Sequence, residues 1–342
     1  MKVLIAGGAG FIGSTIASQL IDSGHQPIIL DNLVTGRREF CAGREFYEGD
    51  IADMGLVDRI FREHRDIGAV VHCAALIVVP DSVKRPIHYY RENVSKTLEF
   101  VDQLIANGVE RFIFSSSAAI YKAADDFTVD EDSPINAPSP YGQTKAVVER
   151  MLADISASSP LKVLSLRYFN PIGADPKMRT GLQLAAPSHA LGKLIEAYRA
   201  NVPFKVTGVD YPTRDGSGIR DYVHVWDLAE AHLRAVERFD DLFATNPAHH
   251  MMLNLGTGSG TTVLELVAAF NRVVDRPVEV EYAPRRPGDS VGAYTRSSRA
   301  EELLGWWAER SLTEGVADSL AWFDYRSRLL PDLAESPETY GT

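Results

Sequence analysis

A doubly wound parallel α/β sheet with a smaller mixed α/β C-terminal domain is the fold class this sequence predicts, on three observations. Short apolar runs at residues 2–6, 27–30, 68–73, 111–114 and 161–166 alternate with stretches of helical periodicity, the pattern of repeated βαβ units. The first run leads straight into GGAGFIG, and the second ends on an acidic residue, Asp31. A nucleotide-binding sheet of this kind uses turn-forming glycines after its first strand and a carboxylate after its second.

In the glycine loop, a side chain at Gly7 or Gly10 would obstruct the tight turn and the approach of backbone amides to a pyrophosphate. Gly13 would let the following helix lie against the strand. Phe11, Ile12, Ile16 and Leu20 continue as a helix, whose N-terminus faces the anion. Asp31, followed by Asn32, stands where a carboxylate accepts both ribose hydroxyls of an adenosine and repels a 2'-phosphate. The cofactor of this Rossmann sheet is therefore read as NAD.

A short extended stretch at 45–47 leads to Asp50 and Ile51, which would lie beside the adenine. Asp50 as cap of a helix starting near Asp53 is an equally open reading, and the two can coexist. Ala74 and Ala75 follow the fourth run and are small enough to let a cofactor approach. A helix over 86–106 carries an apolar stripe at Val94, Leu98, Val101 and Ile105. The fifth run delivers Ser115, Ser116 and Ser117 to the carboxyl edge, where ligands of open α/β sheets bind; serines there also cap turns. Tyr141 and Lys145 then stand four apart on a helix opened by Pro140, and so share one face. Most isolated YxxxK pairs are surface pairs, but this one follows the fifth strand of a nucleotide-binding sheet.

After the sixth strand the pattern is less regular. Helices are predicted at 187–200, 226–238, 263–274 and 299–304, with a last one ending near Leu330 and extended segments at 204–207 and 251–256. The last of these rejoins the main sheet. Residues 1–170, with returning segments near 222–260, form the Rossmann domain, and 171–342 mainly the interleaved second domain. The chain has 342 residues, enough for a large core. Its formal charge of −11 argues against a nucleic-acid surface. No apolar run could span a bilayer and no signal segment precedes the first strand, so a cytoplasmic protein is expected. Cys41 and Cys73 make no disulfide framework, and no Cys/His cluster has zinc spacing, so no metal is expected.

Taken together, GGAGFIG, Asp31, Asp50-Ile51, Ser115 to Ser117, YGQTK, RYFNPIG, DYPTRDGSGIRDYVHVWDLAEAH and RRPGD resemble the extended short-chain dehydrogenase/reductase superfamily, and within it the NAD-dependent epimerases. The resemblance runs in order to about Trp322. It implies a C-terminal domain that grips a UDP-sugar and inversion of C4 through a transient 4-keto sugar. It implies Ser117, Tyr141 and Lys145 as the catalytic group, with Ala74, Ala75, Asn93, Ser115 and Tyr168 around the cofactor. Asn170, Lys205, Thr207, Arg220, Arg286, Asp289 and Ala293 become candidates for the nucleotide and sugar. It also implies a homodimer paired through helices near 92–106 and 142–157.

Three positions depart from the family pattern. Lys122 replaces a glycine and would place a cation near the sugar. Leu184 replaces an asparagine that contacts phosphate. Ala293 stands where some members carry a bulky tyrosine, unless a one-residue shift puts Tyr294 there. A small residue predicts room for a 2-acetamido group; Lys122 motivates a rival UDP-glucuronate 4-epimerase. A 4,6-dehydratase would need an acid and a base where Ala118 and Ala119 stand. A non-catalytic NAD-binding regulatory module is the reading from another class.

Overall fold

The computed structural model describes residues 1–244, 248–285 and 290–333. Among these, seven strands form one sheet: β1 (Lys2–Ala6), β2 (Gln26–Asp31), β3 (Glu45–Glu48), β4 (Ile67–His72), β5 (Arg111–Ser117), β6 (Lys162–Tyr168) and β7 (His250–Leu255). The order across the sheet is β7-β6-β5-β4-β1-β2-β3, with every neighbouring pair parallel. It reverses direction between β1 and β4, where the connecting loops part and leave a crevice.

The apolar runs are unbroken because these strands are covered on both faces. In β1, Val3 and Ile5 pack on one side with Ile16 of the helix Phe11–Asp22 and Leu228 of the helix Val225–Glu237. Leu4 and Ala6, one residue out of phase, pack on the other with Ile60, Phe100 and Leu152 from the helices Met54–Glu63, Lys96–Ala106 and Pro140–Ser156. All four β1 residues are fully buried.

Several boundaries differ from the sequence reading, each for a local reason. Asp53 caps the helix Met54–Glu63, its carboxylate accepting from Leu56 N at 3.0 Å, whereas Asp50 accepts from Ala52 N at 3.0 Å and turns the loop before it. The helix expected over 86–106 is interrupted by a π-helical segment, Arg91–Ser95. The helix expected from 187 begins at Ala190, because the His189 ring accepts from Gly192 N at 3.2 Å and acts as cap.

Beyond β6 the chain builds a three-stranded sheet in the order Gly260–Thr262, Ile219–His224, Asn170–Ile172, and a pair of Val280–Ala283 with Phe204–Thr207. Since Ile219–His224 pairs there and not in the main sheet, the return to the first layer starts with the helix Val225–Glu237. The second core gathers on Trp322, whose Nε1 donates to Leu182 O at 2.9 Å. Gly181 lies flat under this ring, where an added Cβ would come within 2.4 Å. Among the described residues no helix is long and apolar enough to cross a membrane.

Candidate active site

The glycine loop lies in the crevice between β1 and β4. Gly7 has φ +79°, and a Cβ there would come within 2.5 Å of Ala74 N at the end of β4, so both conformation and packing demand glycine. At Gly13 a Cβ would lie 2.3 Å from Gly7 O, which confirms close packing of helix on strand. Gly10 is different: a Cβ there meets only Gly7 O, at 3.5 Å. Nothing in the protein needs that space, and a side chain would fill the cradle that an anion at the helix N-terminus would use. Ile12 packs into the core beneath the loop, and Phe11 turns toward Trp322 and His189.

Asp31 closes the crevice at the end of β2. Its two oxygens accept one backbone amide each, Ala9 N at 2.9 Å and Leu33 N at 2.8 Å, and burial raises its pKa. The carboxylate thus ties the glycine loop to the loop after β2 and keeps lone pairs for further donors. Asp50 accepts Lys96 Nζ at 2.7 Å and Asn32 Nδ2 at 3.1 Å, which hold its carboxyl below the ordinary range against the cost of its burial. Ile51 is buried beside it.

Ser117, Tyr141 and Lys145 meet at the carboxyl end of β5. Ser139 caps the helix Pro140–Ser156 by accepting from Gly142 N at 3.2 Å, and Gly142 is required because a Cβ would lie 2.5 Å from Ala119 O. That contact presses the first helical turn against the loop following Ser117. Burial pushes the Tyr141 phenol up, and its hydrogen bond with Ser117 works the other way. Lys145 Nζ donates to Ser115 O at 2.7 Å and lies 4.7 Å from the centre of the Phe114 ring. Burial brings its ammonium down to about 8. Ser117 also accepts from Ala119 N at 3.2 Å, so it caps a turn as well as facing the phenol.

Asn93 acts from inside the π-helical segment. It accepts from Leu76 N at 2.8 Å and donates to Leu76 O at 2.9 Å and to Thr144 Oγ1 at 3.0 Å. The extra residue of the bulge aims this amide inward, joining the loop after Ala74 and Ala75 to the helix of Tyr141. Tyr168 bonds Ser115 Oγ at 2.8 Å and the buried His232 ring, whose Nδ1 donates to Leu228 O at 2.7 Å. Ser115 Oγ in turn bonds Cys73 Sγ at 3.0 Å.

Candidates for the second ligand are placed less uniformly. Asn170 is half-buried and pairs with Tyr222 at the start of the three-stranded sheet. Arg220 donates to Ile219 O and Val291 O at 2.7 Å and to Ser290 O at 3.2 Å, binding the strap around residue 291 to the sheet. Thr207 ends its strand opposite Ala283. Lys205, expected at the substrate, is instead two-thirds exposed and 3.6 Å from Glu281 on the paired strand; the alternation of Phe204–Thr207 buries Phe204 and Val206 and turns Lys205 to solvent. Arg286 and Asp289 lie outside the described residues.

Ala293 packs against the cluster of Ile120, Tyr121, Val129 and Phe169, on which Ala118 and Ala146, the chain neighbours of Ser117 and Lys145, also pack. The Tyr294 ring lies against Gly260, where a Cβ would come within 2.5 Å of it. Of the two, alanine is the one packed on that cluster. Lys122 is exposed, and its amide bonds Pro134 O at 2.9 Å. Leu184 contributes its carbonyl to Arg326 at 3.1 Å.

With glycine cradle, ribose-type carboxylate and Ser-Tyr-Lys cluster on one edge, residues 3–248 match the model of the NAD dependent epimerase/dehydratase family. The chain belongs to this family. It is 41% identical over 324 residues to a UDP-glucose 4-epimerase of Rhizobium leguminosarum bv. trifolii, covering 94% of this chain and 96% of that protein. The structure is similar to the UDP-glucose-4-epimerase of Stenotrophomonas maltophila with bound NAD and formylated UDP-arabinopyranose, with TM-score 0.89, 37% identity and coverage of 96% and 99% of the two chains. It is also similar to the UDP-Glc/GlcNAc 4-epimerase of Campylobacter jejuni, with TM-score 0.78, 33% identity and coverage of 94% and 98%.

Within this epimerase/dehydratase frame, the sequence reading missed a buried polar cluster directly behind the Tyr141 helix: Glu149, Arg167, Ser116, Tyr121, Asn254 and Glu131. Glu149 was accessible from spacing, since it is one further turn along the face of Tyr141 and Lys145. Its partner Arg167 was not, because only the β5–β6 register puts it beside Ser116.

Proposed function

We propose that the protein is a UDP-hexose 4-epimerase of the UDP-glucose/UDP-galactose type that keeps NAD bound through each cycle. The observation that carries the reading is the convergence of Ser117, Tyr141 and Lys145 on one point of the sheet edge, next to the Gly10 cradle and Asp31. The glycine loop and helix N-terminus would hold the pyrophosphate, and Asp31 the adenosine ribose. Bound NAD supplies the acceptor for the hydride of C4 and its return to the opposite face of the 4-keto sugar.

The protein's own part is proton transfer and orientation. Tyr141 takes the proton of the 4-hydroxyl and later gives it back, while Ser117 hydrogen-bonds the same oxygen. The charge of Lys145 favours phenolate, opposing the burial that favours phenol. Arg220 anchors the sugar nucleotide from the second domain, so the hexose is gripped by its diphosphate and its ring can turn. Ala118 and Ala119 offer no acid or base for elimination, which favours epimerisation over 4,6-dehydration.

Ala293, packed on the cluster that also carries Ala118 and Ala146, favours acceptance of a 2-acetamido sugar as a second substrate. The exposure of Lys122 favours a neutral hexose over a uronate substrate. The division into residues 1–170 with returning segments and a mainly C-terminal UDP-sugar domain belongs to the same reading. So do cytoplasmic location and a homodimer paired through the helices near 92–106 and 142–157, whose Leu98 and Val147 are exposed apolar side chains.

The test is incubation of purified protein with UDP-galactose, without added NAD, followed by analysis for UDP-glucose. Deuterium at C4 is expected to stay with the sugar; its loss to water, or accumulation of the ketone, would refute the mechanism. Ala293→Tyr should abolish turnover of the acetamido sugar and leave that of UDP-glucose.

A further inference from the structure

Three successive residues at the end of β5 are each engaged by the helix Pro140–Ser156, one per turn. Tyr141 faces Ser117, Lys145 Nζ donates to Ser115 O at 2.7 Å, and Glu149 accepts from Ser116 Oγ. The third contact is made on the sheet face that carries Phe114, one helical turn beyond Lys145. Ser116 and Arg167 are paired across β5 and β6, so their side chains leave the sheet together toward the helix.

There Arg167 grips Glu149 with two parallel bonds, Nε to Oε1 at 3.0 Å and Nη2 to Oε2 at 2.6 Å. Its remaining nitrogen, Nη1, donates to Tyr121 Oη at 2.6 Å and Glu131 O at 3.1 Å. Tyr121 Oη donates to Asn254 Oδ1 at 2.6 Å, and Glu131 Oε1 accepts from Asn254 N at 2.7 Å. Arg167 is 1% exposed and Glu149 4%, so the pair is desolvated and its geometry is rigid. One carboxylate thus connects the helix to β5, β6, β7 and the loop before Pro140.

We propose that Glu149 is a positioning residue for the epimerisation: clamped by Arg167 and Ser116, it sets the rotation of the Tyr141–Lys145 helix against the serine edge and keeps Lys145 charged. Lys145 faces the Phe114 ring and Ser115 O from β5, the Cys73 thiol and His72 from β4, and Tyr141 and Glu149 from its own helix. Burial keeps His72 neutral, at about 3, and Cys73 protonated, at about 11. With Cys73 protonated, Glu149 is the anion among these groups that supports the ammonium. Without that anion Lys145 gives up its proton more readily.

The proposal rests on the epimerase reading and is tested after wild-type turnover of UDP-galactose has been established. A wild-type protein without turnover would remove that reading itself. In Glu149→Gln, kcat is expected to fall about a hundredfold, as for a displacement of reacting groups by an ångström, with KM unchanged and the basic limb of the kcat profile moved to lower pH. The isotope-labelled Cε signal of Lys145, read by NMR and assigned with Lys145→Met, should titrate at lower pH as well. Glu149→Asp should restore the limb. The double variant Glu149→Gln, Arg167→Met removes the cost of an unpaired buried arginine and should fold, with its limb moved to lower pH as in the single variant. A folded Glu149→Gln or double variant whose basic limb and lysine signal stay at the wild-type positions would overturn the proposal, because a merely structural role lowers stability without moving either.

Discussion

Lys145→Met tests the electrostatic part of the mechanism most directly. Methionine keeps the length of the buried stem, so the change removes the charge and the bond to Ser115 O and little packing. Tyr141 and Lys145 are one helical turn apart, about 6 Å. At an effective dielectric constant of about 20, a unit charge at that distance stabilises phenolate by about 3 kcal/mol. Loss of that term lowers the phenolate population at neutral pH about a hundredfold, and kcat should fall by the same factor. The sign of the pH dependence separates this from misfolding. In the wild type Lys145 loses its proton as pH rises through about 8, so the rate should decline above that value. The variant has no such limb, and its rate should keep climbing from about pH 7 to about pH 10 as the phenol ionises without help. The assay is UDP-galactose conversion across that range, with Tm as control. A folded variant within threefold of wild type, or one with a parallel profile, would refute the reasoning.

Three further outcomes follow from the same geometry. Gly13→Ala should lose NAD and lower Tm markedly, because the new Cβ would lie 2.3 Å from Gly7 O in backbone that cannot give; unchanged cofactor content after gel filtration would contradict that packing. Asp221→Asn should destabilise by about 2 kcal/mol or more, since the buried carboxylate accepts from Thr257 N and Oγ1, Gly258 N and Thr295 N, and an amide NH2 would face backbone donors with only the Thr257 hydroxyl able to accept from it; a denaturant melt with an unchanged midpoint would show otherwise. Burial lowers His72 to about 3 and His189 and His232 to about 4. The folded state then binds fewer protons than the unfolded one, whose imidazoles titrate near 6.5, so stability present above about pH 6.5 is lost as pH falls toward 4. Calorimetry should show Tm decreasing over that interval, and a flat Tm would mean these rings are not buried neutral.

Local chemistry made much of this protein legible without a structure. The β1 run, Gly7 and Gly13, Asp31, the serines ending β5 and the Tyr141–Lys145 spacing each express a requirement met within a few residues, such as a positive φ, a covered strand or one helical turn. Tertiary structure alone decided the remainder. Asn93 reaches Leu76 and Thr144 because a π-helical turn aims it inward, which no periodicity announces. Lys205 fell to the solvent face of its strand, and Ala293 rather than Tyr294 packs on the cluster of Ile120 and Phe169, because each depends on the phase of a short pairing. Glu149 meets Arg167 and Ser116 only through the order and register of β5 and β6. An apolar pattern records which side of an element is buried, whereas contacts between distant segments depend on how those elements are stacked, and that is settled by packing of the whole core.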